Sequence, residues 1–117
     1  MKWFIAKMIF RIIVSDETKS QFDIQLRLIL APSLEKALVQ IKEIGYSEEE
    51  IFSSANNKTV EWKFIDVESI SELPELNNGT LMHSFTQEEE SAADFINSVK
   101  TKSQSLTEKQ VNTFASI

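Results

Sequence analysis

Gln21-Phe22-Asp23-Ile24-Gln25-Leu26-Arg27-Leu28-Ile29-Leu30-Ala31 changes character at every second residue over most of its length. Phe22, Ile24, Leu26, Leu28 and Leu30 share one parity, while Gln21, Asp23, Gln25 and Arg27 share the other. A period of two belongs to a strand with one buried and one wet face. A one-residue slip would bury the polar set, so the pairing register is tightly specified. The apolar set is expected to pack under the helices.

The preceding segment, residues 3–14, alternates as well. Phe4, Ala6, Met8, Phe10, Ile12 and Val14 form an apolar set, and Trp3, Ile5, Lys7, Ile9, Arg11 and Ile13 a mixed one. Only the polar loop 15–20 separates the two strands, so an antiparallel hairpin is expected. Aliphatic residues on both parities mark the first strand as central in its sheet and partly covered. Its cover is expected to be the C-terminal segment or a second subunit.

Beyond the hairpin, Pro32-Ser33 breaks the alternation. Ser33 is a suitable N-cap, and Glu35 in the first turn suits the helix dipole. Leu34, Ala37, Leu38, Ile41 and Ile44 recur at helical spacing, with Gly45 read as the C′ residue that stops the helix. Tyr46 to Lys58 reads as a polar connector tethered by Ile51 and Phe52. Val60, Trp62 and Phe64 then alternate with Glu61 and Lys63, and the parity slips at Ile65-Asp66-Val67, which marks a bulge or a strand end. Asn77-Asn78-Gly79 is a turn signal, and Thr80 to Phe85 reads as a short fourth strand.

Thr86-Gln87-Glu88-Glu89 fits a capping box opening a second helix, with Ala92, Ala93, Phe95, Ile96 and Val99 as its apolar stripe. Thr107 and Gln110 are placed to bound a last short helix carrying Val111 and Phe114. The order β-β-α-β-β-α predicts an α+β fold. It is a four-stranded, mainly antiparallel sheet with helices 33–44 and 87–100 packed chiefly on one face. Residues 1–100 are expected to form a single domain, and 101–117 a mobile or partner-docked tail.

The chain has 117 residues, a formal net charge of −6 and no cysteine. That length suits one domain with a core large enough to need no staple. Without cysteine there is no disulfide, thiolate metal site or cysteine nucleophile. The acidity is regional: residues 1–44 carry seven Lys/Arg against five Asp/Glu, and residues 47–94 two against twelve. A generic phosphate-backbone binder is therefore not expected, and any anion-binding surface should draw on the first half. Lys7 and Arg11 interrupt the apolar opening, so neither a signal peptide nor a membrane span is expected, and the location is read as cytoplasmic.

Trp3 followed by Ala6-Lys7 and Phe10-Arg11-Ile12 resembles the opening of a bacterial family of unknown function. Gln21-Phe22-Asp23 with Gln25-Leu26-Arg27-Leu28, Val60-Glu61-Trp62-Lys63-Phe64 and Ser71-Glu72-Leu73 are similar to the same family. The likeness spans about residues 1–85. It implies a compact bacterial α+β domain and carries no activity, cofactor or site residue with it.

Candidates for chemistry are few. His83 is the single histidine and has no ligand-spaced neighbour. No serine stands in a nucleophile elbow, and two glycines, Gly45 and Gly79, cannot form a Gly-rich phosphate loop. Glu48-Glu49-Glu50 and Glu88-Glu89-Glu90 lack calcium-loop spacing. No catalytic residue, metal site or cofactor is expected. The sheet face turned away from the helices is expected to gather Trp3, Lys7, Arg11, Asp23, Gln25, Arg27, Glu61 and Lys63 into one polar patch, with cross-strand ion pairs such as Lys7–Asp23. Such a patch fits a protein partner or self-association as a homodimer. A small anionic ligand is the alternative, and a single-stranded nucleic acid the least favoured one.

Overall fold

The computed structural model describes residues 1–115, with side chains through Glu108. The chain forms two compact units, Met1–Ser84 and Phe85–Ile117. The first holds strands β1 (Lys2–Val14) and β2 (Gln21–Ala31), helix α1 (Leu34–Ser47), and strands β3 (Glu50–Ser53) and β4 (Thr59–Leu73). The second holds helix α2 (Ala92–Ala115). The fold is α+β, as the alternation implied, and the four strands run antiparallel in the order β2-β1-β4-β3.

The fourth strand is not the expected one. Residues 80–85 form no strand, although the Asn77-Asn78-Gly79 turn is present: Thr80 N–H donates to Asn77 O at 3.2 Å, and Gly79 takes φ 88°. The strand comes instead from the segment read as a connector. Glu50–Ser53 pairs with Thr59–Trp62, and the link between them turns through Asn57 at φ 60°. Ile51 and Phe52 are exposed on this short edge and tether nothing to the core.

β4 is longer than its parity slip suggested. Its register with β1 shifts between Lys7 and Met8 and again between Ile9 and Phe10, so Glu68 and Ile65 have no partner on β1. These are bulges: each inserts one residue and bends the strand without ending it.

α1 starts where the sequence marks it, with Ser33 Oγ accepting from Lys36 N–H at 3.2 Å. It runs through Gly45 to Ser47, so Gly45 does not terminate it. Ala37, Ile41 and Gly45 recur every fourth residue and form the buried stripe, while Leu34 remains exposed. The stripe lies on Ala6, Met8, Phe10 and Phe64, with a second cluster at Phe4, Ala31 and Ala37. Phe10 and Phe64 pack with ring centroids 5.4 Å apart, and Tyr46 meets the Phe64 ring edge-on at 5.0 Å. Phe4, Ala6, Met8 and Phe10 of β1 thus lie in the core, as expected, while Ile12 and Val14 are only partly buried.

α2 begins at Ala92, with Ser91 Oγ accepting from Asp94 N–H at 3.2 Å, so the Thr86 capping box does not open it. Residues 101–107 continue the helix. Ser105 Oγ donates to Thr101 O and Thr107 Oγ1 to Ser103 O, back-bonds that let hydroxyl residues stay helical. The expected packing of Val111 and Phe114 lies outside the described side chains.

Candidate functional site

Directly opposed residues of an antiparallel pair point to the same face of the sheet. On β1 the core residues Phe4, Ala6, Met8 and Phe10 oppose Ile29, Arg27, Gln25 and Asp23. The polar row of β2 therefore lies on the helix-bearing face. Ile5, Lys7, Ile9 and Arg11 oppose Leu28, Leu26, Ile24 and Phe22, so the apolar row of β2 lies on the other face. This reverses the expected orientation of β2.

The physical reason is visible along the strand. The odd row of β2 is polar from Gln21 to Arg27 and apolar at Ile29 and Ala31. Ala31 is fully buried in the cluster with Phe4 and Ala37, at the start of α1. Farther back, the same row is satisfied by hydrogen bonds. Gln25 Nε2 donates to Asp23 Oδ2 at 2.7 Å, and Arg27 Nε and Nη2 donate to Gln25 Oε1 at 3.1 and 2.8 Å. Arg27 Nη1 and Nη2 reach Glu48 Oε1 and Oε2 at 2.7 and 2.5 Å, a two-pronged pair at the C-cap of α1.

The eight residues of the expected patch therefore divide. Asp23, Gln25 and Arg27 lie on the helix side. Trp3, Lys7, Arg11, Glu61 and Lys63 share the opposite face: Trp3 opposes Leu30 and Leu73, Arg11 opposes both Phe22 and Lys63, and Glu61 opposes Ile13. Lys7 cannot meet Asp23 across the strands. It pairs instead with Glu68, the bulge residue of β4, at 3.5 Å.

This face is strongly apolar over β2 and becomes better covered towards β1. Phe22, Ile24, Leu26, Leu28 and Leu30 are between 38% and 60% exposed, whereas Ile5 is 5% exposed. Sequence reasoning missed this row because alternation separates two faces without saying which one a helix covers. The signal that could have found it is the change from polar to apolar between Arg27 and Ile29.

Among the described residues one cleft of about 670 Å³ is formed by Ser71–Leu73 and the connector as far as His83 and Ser84; none of the eight expected residues lines it, although Leu73 opposes Trp3. Another, of about 420 Å³, lies on the helix side between Gln25, Phe10, Trp62 and the Glu48–Glu50 turn. Within it Glu49 Oε2 accepts from Phe64 N–H at 3.0 Å. Among the described residues no cluster of three or more His, Asp or Glu is placed to hold a metal ion. Asp66 has its carboxyl held below the usual carboxylate range, first by the N–H of Val67 and then by Lys42.

The molecule is thus an α+β domain whose sheet carries a helix on one face and an exposed apolar strand on the other. The chain belongs to the family described as Domain of unknown function (DUF4288), which matches residues 3–84. That span takes in all four strands and α1 and stops before α2. No curated protein and no solved structure matches the chain. No helix among the described residues is long and apolar enough to cross a membrane.

Proposed function

We propose that this chain is a non-enzymatic interaction domain of the bacterial cytoplasm, which docks a protein through the face of its sheet opposite α1. The observation that carries the reading is the row Phe22, Ile24, Leu26, Leu28 and Leu30, exposed side by side on one strand. Scattered surface leucines need no explanation, but a contiguous apolar row on a folded domain favours an interface. Trp3 at one end and Arg11 at the other are residue types enriched at interfaces. An accessory role, such as restraining a toxin as immunity proteins do, fits a domain of this size.

The small-anion alternative loses its original geometry, because Arg27 and Gln25 lie across the sheet from Lys7 and Arg11. What favours a reduced form of it is the Arg11–Lys63 apposition: two cations directly opposed, with no carboxylate ion-paired to either among the described residues. A carboxylate or phosphate group on a docked partner would relieve that repulsion.

The test is substitution of the exposed row. Leu28→Lys should leave the far-ultraviolet circular dichroism unchanged and abolish association measured by calorimetry with a partner identified by co-purification. Lys36→Glu, on the exposed side of α1, should leave association intact. Equal binding by wild type and Leu28→Lys would exclude this face.

A further inference from the structure

The backbone of β2 narrows the choice of partner. β2 stands at one edge of the sheet and is paired only to β1. Along its free side every second residue turns its N–H and C=O outward, unpaired by any strand. Natural edges are usually blunted by short length, proline, bulges, charged residues on the edge or pointing inward, or a covering helix or loop. The charges of β2, Asp23 and Arg27, lie on its helix side and are engaged with Gln25 and Glu48. β3, the opposite edge, has four residues, whereas β2 has eleven, with no proline, no glycine and no shift in its register to β1.

From these observations, and resting on the interaction reading above, we infer that the partner is a second copy of this chain. The two β2 strands join antiparallel about a two-fold axis at Leu26, making one continuous eight-stranded sheet. Leu26 is the midpoint of Gln21–Ala31, so this register pairs the whole strand with itself. On the apolar face Leu26 meets Leu26 of the partner subunit, Ile24 meets Leu28 of the partner subunit, and Phe22 meets Leu30 of the partner subunit. On the helix side Gln25 meets Arg27 of the partner subunit, an amide beside a guanidinium.

The two-fold operation keeps every side chain on its own face, because strand pairing conserves parity. Pairing at this edge closes the free backbone row of β2 and brings the flanks of its side chains together. The outer surfaces of Phe22, Ile24, Leu26, Leu28 and Leu30, and Trp3 one strand away on β1, remain on the face of the joined sheet, where the two apolar rows become continuous.

Because the chain lacks cysteine, a single introduced thiol reports the axis. Opposed Cα atoms in an antiparallel pair stand about 4.5–5.5 Å apart, inside the range a disulfide spans. Leu26→Cys is expected to give a disulfide-linked dimer on mild oxidation. Leu30→Cys, whose partner is Phe22, is expected to stay unlinked. Light scattering should give twice the 13.4 kDa chain mass for the wild type and the chain mass for Leu26→Lys, with unchanged circular dichroism. Position 26 is half exposed, so lysine there does not threaten the monomer fold.

A wild type that remains monomeric at hundreds of micromolar overturns the inference. If Leu28→Lys still abolishes a heterologous interaction in that case, the interaction reading stands without it. A dimer that survives Leu26→Lys, or cross-links through Leu30→Cys and not Leu26→Cys, overturns the β2 two-fold while leaving self-association in place.

Discussion

Gly45 faces the ring of Phe64 so closely that a Cβ at position 45 would lie 2.6 Å from Cδ1 and Cε1. The ring has nowhere simple to go, since it is 3% exposed and packed between Phe10 and Tyr46. Glycine is thus present inside α1 for close approach of helix to strand, at a cost of about 1 kcal/mol in helix propensity relative to alanine. Gly45→Ala recovers that propensity and incurs overpacking of about 1–3 kcal/mol. The expected net effect is destabilisation by about 1 kcal/mol, seen as a fall of about 4 °C in Tm. A rise in Tm would show that Phe64 repacks freely.

Arg11 and Lys63 are directly opposed on β1 and β4. Like charges at such positions destabilise a sheet, and opposite charges contribute about 0.2–1 kcal/mol. Lys63→Glu is therefore expected to stabilise the domain by a few tenths to about 1 kcal/mol in urea unfolding at low ionic strength, with the gain shrinking in 1 M salt. Loss of stability on this substitution would contradict the register.

Asp66 Oδ1 accepts from Val67 N–H at 2.8 Å and lies 3.5 Å from Lys42 Nζ. Both favour the ionised form, the backbone bond most, and the folded pKa falls below the ordinary 3.8. A lowered folded pKa means that the contribution is present above the ordinary value and is lost as pH falls through the lowered one. The stability difference between wild type and Asp66→Ala should stay level from pH 7 to about pH 5 and close below about pH 4. Thermal unfolding across that range is the measurement, and a difference that widens on acidification would contradict the assignment.

Among the described residues all ten buried hydrophobic ones, Phe4 to Leu73, lie before Ser84. A chain ending at Ser84 is expected to fold cooperatively, to keep its near-ultraviolet signal from Trp62 and Tyr46, and to lose only the helical signal of α2. Dispersed amide resonances in its NMR spectrum would support this, and a collapsed spectrum would show that the second unit is required.

The hairpin, α1 and the buried even residues of β1 were legible because each has a local cause: period-two alternation, a Ser33 cap, an apolar stripe. The direction of β2 was not, since it depends on where α1 crosses the sheet, and only Ile29 and Ala31 record that crossing. β3 escaped notice because four exposed residues carry no burial pattern. Of the expected patch, Trp3, Lys7, Arg11, Glu61 and Lys63 share one face in the register of β1 and β4, because parity on those two strands follows the core. Asp23, Gln25 and Arg27 were misplaced with the strand that carries them. The start of α2 was misread because Ser91 competes with Thr86 as a cap, and both sequences offer a hydroxyl ahead of acidic residues.

The two unpaired residues of β4 act on side-chain direction as two single-letter insertions act on a reading frame. A strand has a frame of two, so Ile65 throws the alternation out and Glu68 restores it, leaving only Asp66 and Val67 in the shifted phase. Neither insertion is tolerable alone, because Phe64 and Trp62 on one side and Ile70 on the other must all address the same core. The pair is therefore expected to be inherited as a unit: a relative that lacks one of these residues should lack both.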